Sequence, residues 1–347
     1  MKKIVGFPLF ILMLLVLVAC GDSEKTEGDS GSSHNLIISH FLPGSHPIQT
    51  EVFAEMGTTL EKETDGRITL ELYPANALGD AASHYDMAVT GEADIGLSVH
   101  GYTPGRFPLV SVLELPFMAE SAEHSSKIIA KLYEEFPEFQ DEHSETTPLF
   151  LFSSEPAQLI SKNHKIETPD DLKGLRVRSP SPQGNLILEG MGATPVSMPM
   201  SDVYESLERG VVDAAMVPLE TLVTWNFHEI AKYITVGHFS ATPFFSVMNT
   251  DTYNSFSDSD KKLIDQFRGV ETSAKAGKQF DVFGQKGREL SEANNAEFIE
   301  LTGSKLDPWK EALEPTVEAW IKEMNDKGYP GQEIYDRAVE LSNELKN

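Results

Sequence analysis

Two arginines stand two positions apart in one short apolar run, LRVRSP, residues 175–180. Its leucine and valine alternate with Arg176 and Arg178, which predicts a strand, and the Ser-Pro turn ends that strand directly after Arg178. A guanidinium offers paired N–H donors that match a carboxylate, and this contact is strongest in a closed, dry cleft. The run therefore predicts either a carboxylate clamp at Arg178 or structural ion pairs at both arginines.

Common catalytic motifs are missing from the sequence. GxSxG, HExxH, a Walker-type GxxxxGK[ST] and a GxGxxG after a strand do not occur. The histidines are scattered without ligand-like spacing on one element, so neither a metal site nor a cofactor is predicted. We therefore do not expect an enzyme, although an extracytoplasmic hydrolase that uses Asp94 or Asp213 remains an alternative.

Composition limits the class of partner. The 347 residues include 54 acidic and 28 basic ones, a formal net charge of −26, with 40% hydrophobic residues. The composition disfavours nucleic acid as a partner, because the chain lacks a basic patch that could neutralise a phosphate backbone. In so acidic a chain an arginine inside the fold is conspicuous.

The N-terminus has the pattern of a processing signal. Residues 1–20 combine two lysines, an apolar core and the tetrapeptide LVAC, which resembles a bacterial lipobox. Cys20 is the only cysteine, so a disulfide framework is excluded and lipid attachment is the predicted use of its thiol. Residues 21–34 predict a flexible tether. We expect a protein anchored to the cell membrane that faces the periplasm or the exterior; a cleaved secretory signal with an incidental cysteine is the alternative.

The elements that must position the arginines follow an alternating order. The periodicity predicts strands at residues 35–39, 67–74 and 93–99, and helices at 47–64 and 80–90. This β-α-β-α-β order predicts an α/β fold with a mostly parallel sheet.

The same order of elements recurs later in the chain. Residues 84–96 and 203–215 align at one constant offset, pairing Tyr85 with Tyr204, Gly91 with Gly210 and Asp94 with Asp213. Each copy predicts a helix, a glycine that ends it and an Asp that opens a buried strand. LRVRSP and a helix at 183–191 precede the second copy, which favours two similarly built lobes over two unrelated αβ units.

Three further segments complete the prediction. Residues 241–250 predict a strand that rejoins the first sheet, and residues 258–302 predict long helical segments. Residues 308–345 predict two helices that are broken at Gly328-Tyr329-Pro330.

Four segments carry a resemblance to a known family: YPANALGD, DDLKGLRVRSP, MGATPVSMPMSDVYESLERGVVDAAMVP and NTDTYNSFSDSDKKLI. They resemble the solute-binding proteins of tripartite ATP-independent periplasmic (TRAP) transporters. The resemblance implies a two-lobe, periplasmic-binding-protein-like α/β fold with crossing hinge strands and a long helix that bridges the lobes. It implies lobe 1 at 35–152 plus about 240–278, and lobe 2 at 153–239 plus about 279–345.

The resemblance also implies a function and a site. The expected function is a receptor that closes over a small organic acid and delivers it to TRAP permease membrane subunits. Arg178 matches the arginine that clamps the carboxylate in that family. Gln158 stands where relatives that bind sialic acid have a second arginine, Val217 replaces an asparagine, and Met200 matches a bulky residue over the ligand.

The rest of the pocket is predicted from the expected strand ends. An apolar wall at Met200 and Val217 favours a keto, hydroxy or aromatic monocarboxylate over a polyol. If Glu155 or Glu220 faces the cleft, an amine or zwitterion is the alternative solute, because a buried carboxylate needs a positive partner. The further candidates for solute contact are Ser39, His40, Phe41, Val99, His100, Tyr102, Arg106, Gln158, Glu220 and Trp225.

Overall fold

The computed structural model describes residues 32–346, so Cys20 and most of the predicted tether lie outside the described residues. The strands of this part are β1 (His34–His40), β2 (Ile68–Tyr73), β3 (Ile95–Val99), β4 (Thr147–Ser153), β5 (Gln158–Ser161), β6 (Arg176–Ser179), β7 (Thr194–Ser197), β8 (Ala214–Val217), β9 (Tyr233–Val236), β10 (Pro243–Met248) and β11 (Glu297–Glu300).

The helices lie between and after these strands. They are α1 (Ala54–Glu63), α2 (His84–Thr90), α3 (Ala122–Glu135), α4 (Pro137–Glu142), α5 (Pro182–Gly190), α6 (Val203–Glu208), α7 (Thr221–Thr224), α8 (Thr250–Ser255), α9 (Asp258–Ile264), α10 (Gly269–Ala293), α11 (Asp307–Asp326) and α12 (Gly331–Glu344). Among the described residues, no helix is both long and apolar enough to cross a membrane.

Two sheets form the two lobes of an α/β fold. The first has the order β2-β1-β3-β10-β4 and the second the order β11-β9-β5-β8-β6-β7. In the first, β10 runs antiparallel to both of its neighbours, and in the second β5 does the same. The remaining pairs, such as β1 with β2 and β6 with β8, are parallel. The exact lobe boundaries stay a prediction.

The chain crosses between the sheets along two adjacent segments. One leads from β4 to β5 and the other from β9 to β10, and the two are hydrogen-bonded side by side. The backbone N–H of Ser154 donates to the carbonyl of Thr242 (2.9 Å), and that of Ala157 donates to Ser240 (2.6 Å). These paired crossings form the connection that a hinge between two lobes requires.

The long helix α10 packs against both lobes through three glycines. A Cβ at Gly277 would lie 2.4 Å from the carbonyl oxygen of Ala122, and one at Gly287 would lie 2.4 Å from that of Leu219. A Cβ at Gly284 would lie 2.1 Å from a carboxylate oxygen of Glu155. A side chain at any of these three positions would clash at such distances. The glycines therefore allow neighbouring segments to pack directly against the backbone of α10.

The aligned helix-glycine-Asp units have the same local structure. Gly91 and Gly210 end their helices with φ of 76° and 70°, where glycine is favoured. The Asp94 carboxylate accepts the backbone N–H of Ile37 (2.8 Å), and the Asp213 carboxylate accepts that of Arg176 (2.9 Å). Each Asp therefore ties the start of its strand to the neighbouring parallel strand.

Most predicted elements are present, including β10 in the first sheet and the break between α11 and α12. The expectation of helix through residue 302 is wrong at its end. Asn295 adopts a left-handed φ of 64° after α10, and the alternating run that follows forms β11 beside β9. The helix predicted from 47 also differs, because its first part, Ile48–Phe53, has π-type turns.

Candidate functional site

Arg178 lies at the end of β6 and is a buried cation without an acidic partner. Its side chain is 1% exposed, and its N–H groups donate to the carbonyls of Met198 (3.0 Å) and Met216 (3.2 Å) and to the Tyr102 hydroxyl (3.3 Å). Among the described residues, no carboxylate oxygen comes within 4.0 Å of this guanidinium. Burial accordingly lowers its pKa, and two of its five N–H donors have no partner within the described protein.

Tyr102 completes this donor group from the other lobe. Its hydroxyl oxygen accepts hydrogen bonds from Arg178 and from the backbone N–H of Met200 (2.9 Å). Both lone pairs are thus used, and the hydroxyl hydrogen remains available to donate. Arg178 and Tyr102 together offer three hydrogen-bond donors, which suits an anion.

These donors border a small cavity between the lobes. It is small: its empty space is about 330 Å³ when its open mouth is counted, and its enclosed part has room for about one water molecule. It is lined by Phe41, Leu42, Val99, Tyr102, Ser154, Arg178, Pro180, Met200, Pro218, Glu220, Trp225, Thr242 and Phe244.

Four aromatic rings are part of the cavity lining. Phe41 stacks on Trp225 with ring centroids 6.3 Å apart and planes at 20°. It also stacks on Phe244 at 6.1 Å and meets the edge of Tyr102 at 5.5 Å. A flat apolar ring suits such a wall better than a polyol, whose hydroxyl groups would be left without partners.

Glu220 lines the same cavity, whereas Glu155 does not. Glu220 is 3% exposed and directly precedes α7. Glu155 Oε1 accepts the backbone N–H of Glu220 (2.6 Å), and its carboxylate lies against Gly284. Burial raises the pKa of Glu155 well above its usual value.

Four other predicted contact residues lie outside the lining of this cavity. Gln158 Oε1 accepts the backbone N–H groups of Gly237 (2.8 Å) and His238 (3.0 Å), so it braces a crossing segment. Val217 is fully buried in β8 beside it. His40 and His100 are buried against Gln49 and His143, at 3.0 Å each.

Of four more candidates, two line the cavity and two do not. Phe41 and Val99 do line the cavity. Ser39 instead contacts His84 Nδ1 at 3.0 Å. Arg106 pairs with Asp86 and with Glu145 at the surface.

The sequence interpretation missed several lining residues. Pro180 and Pro218 follow β6 and β8 directly, so the rule that ligands bind at the carboxyl ends of parallel strands would have found them. Phe244 and Thr242 come instead from the start of β10. That start lies at the same edge only because β10 runs antiparallel to β3 and β4.

Arg176 has a different environment from Arg178. Its side chain is 46% exposed and forms two hydrogen bonds with the Asp213 carboxylate (2.9 and 3.0 Å). Asp94 and Asp213, the residues of the hydrolase alternative, hold strand starts at the edge opposite to the cavity. Among the described residues, no group of three or more acidic, His or Cys side chains is placed to hold a metal ion.

A larger groove of about 980 Å³ lies beside α11, bordered by His100, Glu114, Gln183 and Trp320. Its one lysine, Lys327, is paired with Glu323 (2.6 Å). This groove therefore lacks the unpaired cation that distinguishes the cavity at Arg178.

Comparison with known proteins identifies the family. Residues 38–323 match the family model of bacterial extracellular solute-binding proteins, family 7. A TRAP solute-binding protein from Rhodoferax ferrireducens, solved with copurified benzoate, is 28% identical, covers 90% of this chain and 98% of its own, and superposes with a TM-score of 0.86.

Two further relatives agree with this assignment. A marine metagenome TRAP solute-binding protein specific for aromatic acids, solved with 3-hydroxybenzoate, is 32% identical over 91% of this chain and 100% of its own, with a TM-score of 0.87. The sialic acid-binding periplasmic protein SiaP of Vibrio cholerae is 27% identical over 75% of this chain and 80% of its own. The chain belongs to the family 7 extracellular solute-binding proteins of TRAP transporters, whose members are receptors and not enzymes.

Proposed function

We propose that this protein is the receptor for an aromatic monocarboxylate, with the carboxylate held by Arg178 and Tyr102. The observation that carries the proposal is the buried guanidinium without an acidic partner in the described protein. An uncompensated buried charge is costly, and an anionic solute offsets that cost. The carboxylate would accept two N–H groups of Arg178 and the O–H of Tyr102.

The cavity supports a single-ring solute. Phe41, Trp225 and Phe244 present flat apolar surfaces, and the space is small. The Rhodoferax relative holds benzoate and the metagenome relative holds 3-hydroxybenzoate. A sugar acid is disfavoured, because Gln158 and Val217 contribute no polar group to the cavity lining.

Solute capture would proceed by hinge closure along the paired crossings. Tyr102 and Phe41 come from the first lobe, whereas Arg178, Met200 and Trp225 come from the second, so the cavity is complete only when the lobes meet. The closed form would then engage the TRAP permease subunits, which use an ion gradient. We place the lobe boundaries at the crossings, near residues 152 and 240.

We further propose attachment to the membrane through a lipid on Cys20, with residues 21–34 as the tether. The lipobox pattern and the absence of other cysteines support this assignment. Metabolic labelling with a radioactive fatty acid tests it: wild type should be labelled, and label retained in Cys20→Ala would contradict the proposal.

An amine or zwitterion receptor is a second candidate because Glu220 lines the cavity. In that case binding of amino compounds should survive the loss of Arg178. Glu155 is not part of this candidate, because it does not line the cavity.

Calorimetric titration of the purified protein with benzoate, mandelate, pyruvate and lactate tests the main proposal, together with mass spectrometry of copurified ligand. Arg178→Ala should weaken binding of the aromatic acids by roughly 2–5 kcal/mol, or about 30- to 5,000-fold. Arg176→Ala is the matched control and should leave affinity unchanged, because Arg176 is paired with Asp213 away from the cavity. Equal affinity in wild type and Arg178→Ala, or no binding of aromatic acids by wild type, contradicts the carboxylate clamp.

A further inference from the structure

The two carboxylate oxygens of Glu220 have different surroundings. Oε2 accepts a hydrogen bond from the Thr224 hydroxyl and lies 3.6 Å from His46 Nε2. Oε1 has no hydrogen-bond partner within residues 32–346, although the residue is 3% exposed and lines the cavity with Arg178 and Trp225. Glu220 therefore brings an unused acceptor to a site where Arg178 and Tyr102 supply donors.

His46 lies beside this carboxylate from the first lobe. His46 Nδ1 accepts the backbone N–H of Ile48 (3.2 Å), so the proton of the neutral ring lies on Nε2. Nε2 is buried, has no hydrogen-bond partner in the described protein and faces Oε2 of Glu220. The backbone N–H of Glu220 is held in turn by Glu155 (2.6 Å). Thr224 and His46 lie at Oε2 and Glu155 holds the backbone, and none of the three forms a hydrogen bond with Oε1.

We propose that Oε1 of Glu220 accepts a hydrogen bond from a hydroxyl group on the ring of the bound aromatic acid. This inference rests on the proposed function and narrows its solute class to hydroxylated aromatic acids. An unsubstituted ring would leave this cavity-facing acceptor without a partner in the closed cavity. A ring hydroxyl satisfies it with a charge-assisted bond, and a site built this way discriminates strongly against an analogue that lacks the donor.

A hydroxyl fits the surroundings of Glu220 better than an ammonium group does. The titratable groups beside its carboxylate are His46 at 3.6 Å and, behind its backbone, Glu155, while Arg178 lines the same cavity more than 4.0 Å away. The His46 N–H and the Thr224 O–H already point their partly positive hydrogens towards Oε2. A neutral hydroxyl completes the shell with one bond, whereas an ammonium group would have to lose its own hydration in a cavity walled by aromatic rings.

Calorimetric titration of the purified protein with matched single-ring acids tests the assignment. The ligands are benzoate, 3- and 4-hydroxybenzoate, the corresponding methoxybenzoates and 3- and 4-aminomethylbenzoate. In wild type, at least one hydroxybenzoate should bind about tenfold or more tightly than benzoate and than its methoxy analogue, which keeps the oxygen but not the donor. The measured quantity is the ratio of these dissociation constants.

Glu220→Gln removes the charge at constant shape and should lower that ratio to about threefold or less. Thr224→Val, which removes the hydroxyl that holds Oε2, should lower the ratio by a smaller factor, and it tests the assignment if Glu220→Gln does not fold. Glu208→Gln, an exposed carboxylate of α6 in the same lobe, is the control and should keep the wild-type ratio.

The outcomes separate this inference from the proposed function. Aromatic acids that bind with equal affinity regardless of a ring hydroxyl, or a ratio that Glu220→Gln leaves unchanged, overturn the role of Glu220 and leave the proposed function standing. Tightest binding of an aminomethylbenzoate that is lost in Glu220→Gln overturns the hydroxyl assignment in favour of an ammonium group. No binding of any aromatic acid overturns the proposed function, and this inference with it.

Discussion

Gly101 provides a direct test of how closely the lobes must approach. It follows β3 in the first lobe and lies against the turn after β6 in the second. A Cβ added there would lie 2.5 Å from Ser181 Cβ and 3.1 Å from the carbonyl oxygen of Pro180. Gly101→Ala should therefore obstruct the contact between the lobes, directly beside the arginine that we assign to the solute carboxylate.

The expected magnitude follows from the geometry. Two carbon atoms pack at about 3.5–4.0 Å, so the two segments must separate by about 1 Å to admit the methyl group. Overpacking of this kind costs about 1–3 kcal/mol. Because the contact joins the lobes, the cost falls on the closed form, and affinity for the solute should drop by about 5- to 150-fold.

Two measurements and one control make the test decisive. Calorimetry gives the affinity for the aromatic acid, and thermal unfolding without solute gives the stability, which should stay near that of wild type. Gly44→Ala is the matched control, because a Cβ at Gly44 meets only Gln49 and Pro74, at 3.5 Å. The reasoning is refuted if Gly101→Ala binds as tightly as wild type, or if its unliganded form loses as much stability as the bound form.

Three other predictions concern stability. Burial raises the pKa of Glu114 from 4.5 to about 7, so wild type should lose up to about 3 kcal/mol of stability as the pH rises from about 4.5 to 7, because the folded protein keeps this proton and the unfolded chain releases it. Glu114→Gln should lack this pH-dependent loss when the two proteins are compared by urea unfolding. Gly277→Ala should lower the free energy of unfolding by about 1–3 kcal/mol, although alanine favours helices, because its methyl group meets a carbonyl oxygen at 2.4 Å. Lys286→Ala, on the exposed face of the same helix, is the control and should change the urea midpoint little. Gln158→Leu should cost about 1–3 kcal/mol by leaving the buried backbone N–H of Gly237 and the partly buried one of His238 unpaired. A loss of aromatic-acid affinity without loss of stability would contradict its placement at the hinge.

The predictability of the fold depended on how local each signal was. The β-α-β-α-β order and the addition of β10 to the first sheet could be predicted from hydrophobic periodicity and turn residues, which are signals that extend over a few positions. β11 was missed because the run after α10 is short and follows a strongly helical segment. Its strand character comes from pairing with β9, about sixty residues earlier, and not from local preference.

The site was predictable to the extent that it depends on strand ends. Arg178, Met200 and Trp225 follow from the order of elements or from the family motif, and all three line the cavity. His40 and His100 stand at strand ends too, but their rings turn into the core and pair with Gln49 and His143. The direction of a side chain at a strand end depends on packing from distant segments, which one sequence does not specify.

The charges in the cavity explain why closure should depend on solute. Each ionisable side chain that the second lobe brings to the cavity is approached by a group of the first: Arg178 by Tyr102, and Glu220 by His46. When the lobes are apart, water can solvate the guanidinium and the carboxylate. Closure without solute removes that water and leaves a cation with no acidic partner within the described residues, at a cost of several kcal/mol. A hydroxylated aromatic acid offsets the cost at both ends, so it should shift the equilibrium towards the closed form by its differential affinity for the two states.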